Sequence, residues 1–386
     1  MRKYGLWILG CILVSGIQAQ PATVYDPELN LRIAAHRVEQ SERTIRYRPD
    51  GNDLVSINGK GKFNRALYGT HTGFRVETGD VPEFALYLPR MGGNLSFSLS
   101  NGSQTRSLNS LASVESRYRP GSRLYTLKDD LLGSGELKMQ VLAYSEGEGM
   151  ILRLQTGKIP GGLTLNARFG GVSDKRFSRE GDLGVDPSDS FEFKPANCKG
   201  NQYEISGSEF KVRFGSNGTR MLRGGFSPDA RLYLDESPAL HAVIRLQKSK
   251  EYYIWIQLPD SLPALSAEKR FARAEVHRKT VSSKLQITTP DEWISPLGGI
   301  LSAAADGIWD GQVWLHGAVG WRMPLAGWRA AYTGDVMGWH DRSRTHFEAY
   351  AASQVNSVPV RFSHPYQDSA LNLARSAKVW GTPMYS

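Results

Sequence analysis

Leu137-Lys-Met-Gln-Val-Leu142, Met150-Ile-Leu-Arg-Leu154 and Leu163-Thr-Leu-Asn-Ala-Arg-Phe169 follow one another closely, and they decide the fold. In the first and third, apolar residues alternate with polar ones, the period of a strand with one face on a core. Similar short runs lie on either side: Thr44 to Tyr47, Leu54 to Ile57, Phe84 to Leu88, Leu95 to Leu99 and Leu124 to Leu127 before them. Tyr203 to Ile205, Phe210 to Phe214, Leu232 to Leu234, Ala242 to Leu246 and Tyr252 to Leu258 come after. Turn signals separate the runs, among them Asp50-Gly-Asn, Asn58-Gly, Asn101-Gly, Gly133-Ser-Gly and Asn217-Gly. Many short strands with glycine-rich turns and little helical periodicity predict a large all-β sandwich over residues 20–262. Asp174 to Pro195 is polar and reads as a long loop or insertion.

The chain has 386 residues, room for two or three domains. Residues 1–19 read as a secretory signal peptide. Arg2 and Lys3 form its charged start, Tyr4 to Ile17 its apolar core, and Ala19 the small residue before cleavage at Gln20. The expected location is the periplasm or the outer cell surface. Ile8-Leu9-Gly10-Cys11 faintly resembles a lipoprotein box, but the apolar core runs on past Cys11. With the signal removed, Cys198 is the remaining cysteine, which excludes an internal disulfide and a cysteine metal site. No later stretch is apolar enough for a membrane helix, so no membrane span is expected. The formal charge of +9 is spread thinly. No basic run interleaved with aromatics is present, so nucleic acid is not an expected partner. A basic exported chain suits an acidic polysaccharide, or simply carries a basic surface without consequence.

Beyond the strands the pattern changes. Ser266 to Lys284 predicts a helix joining two domains, a linker over residues 263–288. Ala267, Phe271, Ala274 and Val281 lie on one face of it, and Arg270, Glu275 and Arg278 fall in the polar remainder. Thr289-Pro-Asp-Glu292 reads as a capping box opening a second helix through Trp293, Leu297, Ile300, Leu301, Ala304 and Ile308. Gly298 and Gly299 weaken that helix, and close packing on a neighbour would explain them. A further helix is expected over Gly338 to Val355, and another near Asp368.

Between these helices lies the chemically richest stretch. Five tryptophans, Trp309, Trp314, Trp321, Trp328 and Trp339, alternate with Asp306, Asp310, Asp335 and Asp341, with Arg322, Arg329 and Arg342, and with His316 and His340. Rings that stack on pyranose faces beside acids and guanidinium groups suit a sugar site. A tryptophan packing layer between helices is the alternative. Walker, His-Glu-x-x-His, Gly-x-Ser-x-Gly and dinucleotide signatures are absent, and the histidines show no metal-ligand spacing. No cofactor or metal is expected, and nothing speaks for or against calcium. Glycoside hydrolysis needs two carboxyl groups. Asp335, between two glycines, is the candidate acid, with a helix N-cap as its other role. Asp341 is the alternative catalytic residue, or an ion-pair partner of Arg342. Asp310, Trp314, His316, Trp321, Arg322, Trp328, Arg329, Trp339 and His340 are the candidate sugar-binding residues.

Asn58-Gly-x-x-x-Phe63-Asn-Arg-Ala-Leu-Tyr-Gly69, Pro82-Glu-Phe-Ala-Leu-Tyr87, Trp328-Arg-Ala-Ala-Tyr-Thr-Gly-Asp335 and Gly338-Trp-His-Asp-Arg342 carry a resemblance. They look like the N-terminal part of large secreted Bacteroidetes proteins, in which an uncharacterised β-sandwich precedes a six-hairpin, (α/α)6-barrel glycosidase domain. The resemblance implies polysaccharide breakdown, with residues 289–386 as the start of the barrel. Such a barrel needs on the order of 300 residues, many more than follow Pro290. A truncated or split product is therefore expected, inactive or incomplete by itself, with its second carboxylate beyond Ser386. The competing expectation is a non-catalytic carbohydrate-binding or structural module of a surface glycan-utilisation system.

Overall fold

The computed structural model describes residues 24–26, 31–33, 46–69, 74–88, 90–173, 175, 177, 188–215, 218–237, 239–259, 265–315 and 331–352. The chain divides into two units, Met1–Ile45 and Arg46–Ser386. In the first, Val24–Asp26 pairs antiparallel with Leu31–Ile33, Tyr25 opposite Arg32.

The second unit is built on two large antiparallel sheets. One has ten strands. In order across the sheet they are Gln202–Ser206, Glu209–Phe214, Arg220–Phe226, Glu251–Gln257, Gly149–Thr156, Leu137–Ala143, Ser122–Lys128, Ser113–Arg119, Asp53–Ile57 and Arg48–Asp50. The other has eight: Arg231–Leu234, Leu240–Arg245, Thr164–Val172, Met91–Ser100, Phe84–Tyr87, Arg75–Thr78 and Arg65–Tyr68, with Thr105–Ser107 also paired to Met91–Ser100. The alternation seen in the sequence points one set of side chains between the sheets. Leu95, Phe97, Leu99, Leu165, Ala167 and Phe169 meet Tyr125, Leu127, Met139, Val141, Leu152 and Ile254 in one buried cluster. This is the expected sandwich. Among the described residues its first strand is Arg48–Asp50.

The quoted motif from Asn58 to Gly69 serves the fold. Asp80 is buried; its Oδ2 accepts the Gly61 N–H at 2.9 Å, and Asn64 and Arg123 reach its Oδ1 at 3.2 and 3.3 Å. Tyr47 also donates to Asp80. A Cβ on Gly59 would stand 2.6 Å from the Asp80 carboxylate, so glycine is required for that approach. Phe63 follows at φ 51° with its ring fully buried beside Phe191.

Helix α1, Ala267–Ser282, is capped by Ser266, whose Oγ accepts the Lys269 N–H at 3.4 Å. It lies on the outer face of the ten-stranded sheet. Phe271 and Ala274 bury against Leu142, Ile151, Tyr253 and Trp255. This explains why Leu142 and Ile151 are buried although their neighbours in sequence fill the sandwich core. Arg270 and Arg278, expected on the polar side, are turned to the sheet instead. Arg270 donates to Gln257 Oε1 at 2.7 Å, and Arg278 to the Pro120 carbonyl at 3.0 Å and to Glu275. Glu275 balances the Arg278 charge, while Arg270 bonds a neutral amide oxygen and its Nε is left without a hydrogen-bond partner.

Helix α2, Leu297–Gly307, starts later than the Thr289 signal implies. Asp291 Oδ1 accepts the Trp293 N–H at 2.8 Å and Thr289 Oγ1 donates to the Asp291 carbonyl at 2.9 Å, so the segment is a series of turns. Pro296 has no N–H to donate back into a helix begun at Thr289, and it becomes the cap. The close packing expected of the glycines is present. A Cβ on Gly298 would stand 2.6 Å from the Leu285 carbonyl, and one on Gly299 2.9 Å from Pro120. Residues 331–336 are helical and are labelled α3, and His340–Ala352 form α4. A closed (α/α)6 toroid is not among the described elements. The strand expected at Thr44–Tyr47 is found at Arg48–Asp50. Most of the 174–195 loop, the helix near Asp368 and the signal peptide lie outside the described residues. Among the described residues no helix is long and apolar enough to cross a membrane.

Candidate functional site

The predicted region is organised by Trp314. Trp309 and Trp314 pair across a tight antiparallel loop. Asp310 shapes that loop: its Oδ1 accepts the N–H groups of Gln312 and Val313 at 2.9 and 2.7 Å. The Trp314 side chain is fully buried. Its Nε1 donates to the Ala305 carbonyl on α2 at 3.2 Å, and its backbone N–H donates to His346 Nδ1 on α4 at 3.1 Å. The second bond places the His346 ring proton at Nε2. Trp314 is thus the post on which α2, α3 and α4 pack, and its ring has no face open to a sugar. Asp310 folds its loop.

Asp335 ends up on the surface of α3, with its side chain 53% exposed, rather than at the N-cap of the next helix. His340 Nδ1 lies 3.4 Å from Asp335 Oδ1. Gly338 at φ 70° lets the chain reverse between α3 and α4. The Trp339 N–H donates to the Gly334 carbonyl at 2.7 Å. Arg342 stands 4.6 Å from the Trp339 ring and donates to Asp306 Oδ1 at 2.8 Å. Arg342 therefore pairs with Asp306 and not with adjacent Asp341, because neighbouring side chains on a helix do not face each other. Asp341 is almost wholly in solvent, 3.9 Å from Arg344. Asp335, Trp339 and His340 are brought together; Asp310 and Trp314 belong to the loop that follows α2, with Trp314 buried against α2 and α4. His316, Trp321, Arg322, Trp328 and Arg329 lie outside the described residues.

A second place has the form of a ligand site. A cleft of about 500 Å³ opens on the outer face of the eight-stranded sheet. Ser96, Arg168 and His241 stand opposite one another across three strands, and Ser98 and Asn166 form the next row. They point outward because Phe97, Leu165, Ala167 and Phe169 point into the core. Lys62, Glu83, Asn109, Glu192 and Phe193 rise beside them. Lys62 Nζ is 3.4 Å from Glu83 Oε2 and 3.0 Å from Glu192 Oε1. Burial opposes the Lys62 charge, but Glu192 and Glu83 outweigh it and hold the ammonium above its usual pKa. Glu83 also accepts from Asn94 at 2.9 Å and Asn109 at 2.7 Å. The Arg168 guanidinium lies 4.1 Å from the Phe193 ring. On the rim, His241 Nε2 is 2.8 Å from Asp235 Oδ2, and its ring stacks on Tyr233 at 5.1 Å.

Residues 88–224 match the family model described as a domain of unknown function, DUF4450. No curated protein matches the sequence. Among solved structures, a bacterial glucoamylase complexed with acarbose aligns at a TM-score of 0.47 and 8% identity, over 81% of this chain and 52% of that one. The family GH92 α-mannosidase from Bacteroides thetaiotaomicron aligns at a TM-score of 0.23 and 9% identity, over 69% of this chain and 38% of that one. The chain thus spans about half the length of the glucoamylase.

Sequence reasoning missed the cleft. The alternation in Leu163–Phe169 does place Asn166 and Arg168 on the face away from the core. It cannot show that Lys62, Glu83 and Glu192, from distant segments, wall that face. Among the described residues no group of three or more His, Cys, Asp or Glu side chains converges on a point where a metal could sit.

Proposed function

We propose that this chain is part of a glycosidase-like protein that acts on polysaccharide outside the cytoplasm, with Asp335 exchanging a proton with the glycosidic oxygen. The observation that carries this reading is how the aspartates between residues 306 and 341 are used. Asp306 is tied to Arg342, Asp310 to its own loop, and Asp341 stands in solvent. Asp335 stays accessible beside His340, next to the half-buried Trp339. Accessibility within reach of a bound sugar is the first requirement of a general acid. In this reading Trp339, with Trp321 and Trp328, offers ring faces, and His316, Arg322, Arg329 and His340 bind hydroxyls. The sandwich is the first domain, α1 is the linker, and the helices from α2 on open a barrel of the (α/α)6 kind. The apolar stretch Tyr4–Ile17 behind Arg2 and Lys3 supports export.

The test is Asp335→Asn in the full protein, with reducing-end release measured on a panel of neutral and acidic polysaccharides. The expected result is loss of turnover by roughly 10²-fold or more, with glycan binding retained. Equal turnover in the variant rejects the assignment. A second reading, glycan binding without hydrolysis, is favoured by one observation: among the described residues no second carboxylate shares the His340 partner of Asp335. Binding with no turnover by the unsubstituted protein selects it.

A further inference from the structure

We infer that the cleft on the outer face of the eight-stranded sheet is a binding site for a neutral oligosaccharide, separate from the Asp335 region. Its construction is unlike an ordinary solvent face of a sheet. Ser96, Ser98 and Asn166 are short, so the floor is recessed below the walls that Lys62, Glu192 and Phe193 raise. The volume, about 500 Å³, falls in the range of small-ligand sites.

One side chain that lines the cleft has a polar atom without a partner. Arg168 Nε is buried and has no hydrogen-bond partner, and among the described residues no carboxylate pairs with this guanidinium. Asn94 is fully buried on the same face of the same strand as Ser96 and Ser98. Its Nδ2 holds Glu83 and the Phe191 carbonyl, while its Oδ1 has no partner. A guanidinium can only donate and an amide oxygen can only accept. Arg168 lines the cleft and calls for an acceptor there, whereas Asn94 is fully buried beneath it and holds Glu83 in place.

The charge balance selects among ligands. Lys62 and Arg168 face Glu83 and Glu192 in one cleft, two of each sign. An anion drawn to Arg168 would share that space with two carboxylates. A sugar hydroxyl meets no such conflict: its oxygen accepts from Arg168 while its proton goes to the more exposed Glu192. Phe193 adds an aromatic edge for the apolar C–H groups of a ring. Donors, acceptors and one aromatic over a shallow polar floor match an uncharged polyhydroxyl chain.

The test uses the full chain and calorimetric titration with maltotetraose, cellotetraose, xylotetraose and tetragalacturonate. At least one neutral tetrasaccharide is expected to saturate the protein. Arg168→Gln, which removes the guanidinium, and Ser98→Trp, which fills the floor, are each expected to weaken that binding by roughly tenfold or more. Urea unfolding of each variant checks that it is folded. Hydrogen exchange of the unsubstituted protein gives a readout independent of both variants. The bound sugar should protect peptides holding residues 96–98 and 166–168, and leave 331–340 unchanged. The inference is overturned if no neutral tetrasaccharide binds, if only tetragalacturonate binds, if folded variants bind like the parent, or if protection appears at 331–340 instead.

Discussion

Gly334 lies so close to Trp314 that a Cβ on it would stand 2.1 Å from Cη2 of the indole and 2.5 Å from Ser343 Oγ. The ring cannot move aside, because its Nε1 is bonded to Ala305 and its backbone N–H to His346. Asp335 is the next residue, so the fit of a glycine against a tryptophan sets where the candidate acid stands. Gly334→Ala forces α3 off the ring. The expected cost is about 1–3 kcal/mol, as for other overpacked cores. Urea unfolding measures it, and a variant as stable as the parent would show that α3 does not pack as described.

Arg342 joins the end of α2 to α4 through Asp306, with side-chain exposures of 28% and 12%, and covers the Trp339 ring. The pair is half-buried, so its value lies between that of a surface bridge and a buried one. Arg342→Met and Asp306→Asn should each destabilise the protein. A double-mutant cycle by urea unfolding should give a coupling of about 1 kcal/mol. Zero coupling would mean that the contact does not contribute to stability.

Phe271 holds α1 to the sandwich. It is 5% exposed, meets Tyr253 edge-on at 6.0 Å, and lies under the Arg153 guanidinium at 4.4 Å. Phe271→Ala removes the apolar anchor and leaves a cavity, at a cost of about 3–5 kcal/mol. Trp255 lies in the same cluster. Loss of the helix should therefore wet that indole and shift tryptophan emission to longer wavelength before global unfolding. An unchanged spectrum with unchanged stability would place the anchor elsewhere.

The sandwich was legible because most strands alternate cleanly, as in Leu95–Leu99 or Glu209–Phe214. Ser113–Arg119 was not, since one of its inward positions is Ser116, buried beside the Gly79 carbonyl. Arg75–Thr78 hid for a related reason: Arg75 and Glu77 are both buried and bond each other at 2.9 Å, which a hydrophobic pattern cannot register. In the C-terminal stretch the residue types were legible and their use was not. Tryptophans fit both a sugar platform and a core, and only the gap left by Gly334 assigns Trp314 to the core. The carboxylate that pairs with Arg342 depends on how α2 and α4 approach each other, so the adjacent Asp341 was the wrong partner to expect. The cleft needs three distant segments to meet, and no local pattern announces that.

Cys198 reports on the wall of that cleft, since Phe193 lies in the same segment. Its thiol is fully buried, and its Sγ accepts the Gly171 N–H at 3.2 Å. Burial pushes the thiol pKa up, and the Gly171 bond only partly offsets this. A buried neutral thiol is a poor nucleophile. Iodoacetamide at neutral pH should leave the Cys198 peptide unmodified in the native protein and alkylate it in urea, as read by peptide mass. Rapid labelling without urea would show that the 188–198 segment does not cover the sheet.

Asp235, at the other rim, contributes to the dependence of stability on acid pH. Burial pushes its carboxyl up, but hydrogen bonds from His241, Ser237 and the Ala239 amide, with the charge of His241, pull it down to about 2 from an ordinary 3.8. A folded-state pKa below the unfolded one means that the unfolded chain takes up the proton first as the pH falls. The stabilisation is therefore present above the unfolded value and is lost as pH falls from 3.8 through about 2. Asp235→Asn keeps an oxygen for the Ser237 and Ala239 amides and removes the titration. The variant should be less stable than the parent at pH 6, and the gap should close towards pH 2, in urea midpoints measured across that range. A gap that stays constant with pH would mean that Asp235 holds its turn by geometry alone, and that the His241 ion pair contributes nothing to the folded state.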